Sequence, residues 1–103
     1  MAKVIAEVKV VPLGTGDTSL SDFVADVEKV LQKQKNLKTM LTPMSTIIEG
    51  ELEDVMEAVR EMHEVPFRKG AMRVSTQISI DDRRDIIASM GKKLESVRKR
   101  MDE

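Results

Sequence analysis

The chain has 103 residues, 41% of them hydrophobic, with no cysteine, a single histidine, and 17 basic against 18 acidic side chains for a formal net charge of −1. That length supports one modest core, and we expect residues 1–103 to form a single domain. The composition excludes disulfides, Fe–S clusters, thiol nucleophiles and any metal site built on several histidines of one chain. A near-neutral balance lacks the clustered basic footprint that nucleic acid requires. With Phe23 and Phe67 as its two aromatics, the chain also offers almost no platform for stacking bases. No run approaches the ~20 apolar residues needed to span a bilayer, and Met1–Val11 is broken by charges in a way that does not suit a secretory leader. The expectation is a cytoplasmic protein with neither nucleic acid nor membrane as partner.

In the first segment Val4, Ala6, Val8 and Val10 alternate with Lys3, Ile5, Glu7 and Lys9. This period of two predicts a strand over 3–12, ended by Pro12. Gly14–Thr18 reads as a turn, with Ser19 and Asp22 forming a capping box. Leu20, Phe23, Val24, Val27, Val30 and Leu31 then recur at helical spacing, giving a first helix to about Gln34. Two short apolar runs, 38–42 and 45–49, predict an antiparallel pair joined through Thr42-Pro43-Met44. Gly50 separates them from a second helix whose face is Leu52, Val55, Met56, Val59, Met62 and His63, stopped by Pro66. After Gly70, Met72, Val74, Thr76, Ile78 and Ile80 alternate with Arg73, Ser75, Gln77 and Ser79, predicting a fourth strand over 72–80. Asp82 is then expected to cap a third helix over 83–101.

The order β-α-β-β-α-β predicts an α+β fold, the ferredoxin-like split β-α-β sandwich. It would hold an antiparallel four-stranded sheet, order 4-1-3-2, with two helices on one face, one polar face and an extra C-terminal helix. In that third helix Ile87, Met90, Leu94, Val97 and Met101 follow a 3-4-3-4 spacing, a heptad seam among charged neighbours. The stripe reads either as packing on its own chain or as partly packing against another subunit; the core is complete without this helix, so we expect a homo-oligomer joined partly through the seam. Met40, Met44, Met56, Met62, Met90 and Met101 fall on apolar patterns and read as core filler.

No nucleophile–base pair can be assembled from the sequence, so no catalysis is expected. His63 suits packing or dipole compensation at a helix end. The run Asp81-Asp82-Arg83-Arg84-Asp85 is a poor metal site because its arginines compete with the ion. The loop Val11–Ser19 has neither Walker spacing nor a lysine, and turn chemistry explains its residues. The richest segment is Leu41–Gly50. There Thr42, Ser45 and Thr46 supply hydroxyls, Met44 and Ile47 supply apolar walls, and Glu49 ends the strand. This combination reads either as the lining of a small-molecule pocket or as ordinary strand residues, with Glu49 complementing the next helix dipole.

Several stretches in order resemble a known family: Val8-Lys9-Val10-Val11-Pro12-Leu13-Gly14-Thr15-Gly16, Leu41–Gly50, Met62–Phe67, Gly70–Val74 and Ile80–Asp85. They are similar to the small thiamine-binding-like proteins of archaea, bacteria and yeast, and the resemblance spans nearly the whole chain. It implies a ferredoxin-like fold, assembly into dimers and commonly tetramers, and binding of thiamine or its hydroxymethylpyrimidine portion, with no other cofactor required. For such a ligand Thr42, Ser45 and Thr46 suit the aminopyrimidine edge, and Glu49 or Glu7 suits the cationic thiazolium. The alternative is an oligomeric regulatory or interaction module with no dedicated thiamine role.

Overall fold

The computed structural model describes residues 3–14, 16, 21–85 and 89–102. Its elements are β1 (Lys3–Leu13), α1 (Ser21–Gln32), β2 (Lys38–Leu41), β3 (Thr46–Glu51), α2 (Leu52–Arg68), β4 (Arg73–Asp82) and α3 (Met90–Met101). The four strands form one antiparallel sheet in the order β2-β3-β1-β4, the expected ferredoxin-like arrangement.

The alternation in β1 builds the core. Val4, Ala6 and Val8 are buried on the helix side, with Ile48 of β3 and with Val55, Ala58, Val59, Met62 and Val65 of α2. Val27 and Leu31 of α1 complete the cluster. The seam between sheet and α2 is continuous because side chains two apart on a strand meet side chains three and four apart on a helix.

Several boundaries differ from expectation, each for a local reason. Pro12 does not end β1; it pairs with Val74 of β4. Beyond Val8, β1 has no β3 partner, and a missing N–H is tolerated on such an open edge. Gly50 lies inside β3, opposite Val4, and does not act as a separator. There a Cβ would collide with Leu37 Cδ2 and stand 3.2 Å from the Asn36 carbonyl oxygen, so the 36–37 connection needs a bare backbone at this point.

Pro66 sits inside α2, which runs on to Arg68. Proline so near a C-terminus costs one helical hydrogen bond at a place where the helix is ending anyway. The Lys69 and Ala71 amides donate to the Pro66 carbonyl, and the Gly70 amide donates to that of Phe67. Gly70, at φ 100°, takes the left-handed conformation that turns the chain into β4.

Asp82 is not a helix cap. It belongs to β4 and receives the Arg84 guanidinium. The helix begins at Met90, with the Ser89 hydroxyl accepting from the Lys92 amide. Of the expected third helix, 83–85 are non-helical. The capping box at Ser19, together with Leu20 and Ile87, lies outside the described residues.

The methionines are not uniformly core filler. Met62 is buried, whereas Met40, Met44, Met56 and Met101 are exposed. Met40 stands on the edge strand β2, every residue of which is exposed. Met44 caps a turn and Met101 lies on α3, which buries none of its residues. Among the described residues no helix is long and apolar enough to cross a membrane.

Candidate functional site

The loss of β3 as a neighbour beyond Val8 opens a notch in the sheet. Its floor is Val8 with the unpaired flank of Lys9–Val11, α1 contributes Val24 and Val27, α2 contributes Met62, and the turn from Leu41 to Thr46 closes the far side. The cavity measures about 390 Å³, within the range of pockets that hold small organic molecules. Alternate N–H and C=O groups along the free flank of an antiparallel strand stay available to a ligand.

The turn is rigid for a specific reason. The Thr42 amide donates to the Ser45 carbonyl (2.8 Å), as does the Thr42 hydroxyl (2.8 Å). That hydroxyl in turn accepts from the Ser45 amide (3.0 Å) and the Met44 amide (3.3 Å). A threonine hydroxyl has one proton and two lone pairs, so Thr42 is fully committed to shaping the turn. Pro43 adds its fixed φ.

Ser45 and Thr46 behave differently. The Ser45 hydroxyl donates to Glu7 Oε2 (3.0 Å), and the Thr46 hydroxyl donates to Glu28 Oε1 (3.3 Å). Each keeps acceptor capacity, and a carboxylate stands behind each. Burial pushes the Glu28 carboxyl above the usual glutamate range, with the Thr46 hydrogen bond partly offsetting the shift. The Glu28 contact and the Asp26–Lys69 ion pair fasten α1 to β3 and to the end of α2, and so fix the cavity's lid.

Of the residues singled out from the sequence, Thr42, Met44, Ser45 and Thr46 line the cavity, with Glu7 one hydrogen bond behind Ser45. Ile47 and Glu49 do not join them. They pair with Glu7 and Ile5 on the sheet face away from the helices, because strand side chains alternate. Glu49 is only 3% exposed, and its Oε1 accepts no hydrogen bond among the described residues. The acidic residues in the first turn of α2 are Glu53 and Asp54. Sequence reasoning missed Glu28, although a signal existed: it interrupts the apolar stripe of α1, four residues after Val24 and three before Leu31.

His63 is a packing residue. Its Nδ1 lies 2.6 Å from the Thr76 hydroxyl, and its ring meets Phe67 edge-on at 5.5 Å. Asp81, Asp82 and Asp85 pair with Lys93, Arg84 and Arg83. No cluster suited to a metal ion occurs among the described residues.

Fold and cavity together define the class, a ferredoxin-like α+β chain with a cleft of small-molecule size at the margin of its sheet. The chain belongs to the thiamine-binding protein family, whose model matches residues 6–98. It is 48% identical over 100 residues to the UPF0045 protein YqgV of Bacillus subtilis, covering 94% of this chain and 96% of that one. The structure of the hypothetical protein MJ1052 from Methanocaldococcus jannaschii superposes with a TM-score of 0.84 at 34% identity, over 94% and 97% of the two chains. A Thermotoga maritima structure, named for a proposed role in thiamine biosynthesis or salvage, matches with a TM-score of 0.75 at 25% identity, over 92% and 98%. The family's description concerns binding and names no reaction.

Proposed function

We propose that this chain is a non-enzymatic binding protein for thiamine or its hydroxymethylpyrimidine portion, working as a homo-oligomer in the cytoplasm. The observation that carries the reading is the pair of carboxylate-backed hydroxyls at one cavity, Ser45–Glu7 and Thr46–Glu28. Because both hydroxyl protons face carboxylates, the oxygens present lone pairs, which suit the exocyclic amino group of an aminopyrimidine. The free flank of β1 at Lys9–Val11 supplies main-chain partners for the ring nitrogens. Val24, Val27, Leu41, Met44 and Met62 supply the apolar walls. Two carboxylates within one hydrogen bond of the cavity favour a permanently cationic thiazolium over a neutral ring. The family description and the Thermotoga neighbour's name support the same ligand class.

Self-association is supported by α3, where Leu94, Val97 and Met101 are exposed on one face. Isothermal titration with thiamine and with hydroxymethylpyrimidine tests the ligand. Saturable binding by at least one of them is expected, and absence of heat with both at millimolar concentration overturns it. Sedimentation equilibrium tests the assembly, and a monomer at tens of micromolar would end that half of the reading.

A further inference from the structure

The sheet carries more apolar surface on its helix side than its own two helices cover. Ile78 and Ile80 of β4 pair with Val8 and Ala6 and so share the core face, yet they remain 40% and 39% exposed. Beside them α2 turns a second stripe outwards. Met56, Arg60, His63 and Phe67 follow a 4-3-4 spacing, and the His63–Thr76 hydrogen bond shows that this stripe leans towards β4. Met56 and Phe67 are exposed. The result is a shallow groove with an isoleucine floor and an α2 wall.

α3 matches this groove in three respects. Its apolar stripe Met90, Leu94, Val97, Met101 has the same 4-3-4 spacing, and both stripes run about 16 Å at the helical rise. Its charge is complementary: Lys92, Lys93, Arg98, Lys99 and Arg100 stand against Glu95 alone, whereas α2 carries Glu53, Asp54, Glu57, Glu61 and Glu64 against Arg60 and Arg68. At 100° per residue, Glu53, Glu57 and Glu64 form the solvent-side shoulder of the α2 stripe, where a basic helix would lie. Finally, α3 does not occupy the groove of its own chain. Lys93 pairs with Asp81, which shares the opposite sheet face with Ile5.

We infer that the groove between α2 and β4 receives α3 of a second copy of this chain. The exchange is reciprocal, each subunit giving its helix and accepting its partner's, so the contact closes as a two-fold dimer. This inference rests on the self-association proposed above and specifies its contact.

The absence of native cysteine makes the test clean. Full-length Ile78→Cys and Val97→Cys chains, distinguishable by mass, are mixed and oxidised. A disulfide-linked heterodimer is expected, with several-fold less linkage in either variant alone. Predominant linkage of Val97→Cys with itself would assign α3 to pairing with α3. An intramolecular bond in an Ile78→Cys/Val97→Cys double variant at monomer mass would assign the groove to its own helix. Either result overturns the inference. In parallel, Leu94→Glu/Val97→Glu is expected to sediment as a monomer with an unchanged circular-dichroism spectrum, since α3 contributes nothing to the core. A dimer in that variant contradicts the inference. If the unmodified chain is a monomer, the self-association reading fails too; if it is a dimer without the Ile78–Val97 link, only the groove assignment fails.

Discussion

The two halves of β1 share one sequence rhythm and have different neighbours. From Val4 to Val8 the strand is held by β3 on one side and β4 on the other, with Val4, Ala6 and Val8 sealed in the core. From Lys9 to Leu13 only β4 remains, and Val10 looks into a cavity. The same valine alternation therefore makes core in one half and the wall of a cavity in the other. What separates them is where β3 begins: Thr46 is its first residue, and the Thr42–Ser45 turn holds the chain away beyond it.

The contrast is sharpest under truncation. Ile48→Ala, in the paired half, empties a fully buried site and should cost about 2–5 kcal/mol of stability, read as a lower urea midpoint. Gly50→Ala should come next, at roughly 1–3 kcal/mol, because the added methyl must displace Leu37 and crowds the Asn36 carbonyl. Changes at the cavity should act on binding more than on stability. Thr46→Val removes one hydroxyl and leaves Glu28 without its partner, so thiamine affinity should fall by about tenfold, the equivalent of one hydrogen bond. An unchanged dissociation constant in that variant would remove Thr46 from the site.

Glu28→Gln should have the smallest and most selective effect. It should weaken thiamine binding several-fold and leave neutral hydroxymethylpyrimidine nearly unaffected. The pH dependence has a definite sign. Burial raises the Glu28 carboxyl in the folded chain, so its ionised form opposes folding, and its contribution to stability declines as pH rises through the ordinary glutamate value to the raised one. A cationic ligand prefers that ionised form. Affinity for thiamine should therefore fall as pH drops through a value above the usual glutamate range, and Glu28→Gln should flatten that part of the titration.

The sheet order was legible from the sequence because parity and helical spacing are properties of the chain itself. Val4, Ala6 and Val8 on one parity, and Val55, Val59 and Met62 on one helical face, leave few ways to close a core. Boundaries were harder to read where a neighbour decides them. Pro12 is tolerated because β3 is absent at that point, and Gly50 is needed because residues 36–37 pass close by; neither fact is local. The hydroxyl segment reads as a unit in the sequence, but its members divide by strand alternation. Thr46 faces α1, and Ile47 and Glu49 are carried elsewhere. Glu28 went unread because its partner lies 18 residues away, although its place in an apolar stripe marked it. The methionine pattern misled because periodicity reports a face without reporting whether the chain has anything to cover it, as α3 and β2 demonstrate.

The most direct measurement is a titration of the ¹⁵N-labelled chain with thiamine, followed residue by residue in amide spectra. Saturable shifts centred on Lys9–Val11, Val24 and Thr42–Thr46, with Val4–Ala6 and the first turn of α2 little moved, are the predicted result. No shift at millimolar thiamine, or shifts confined to β4 and α3, would contradict a binding site in the open half of β1.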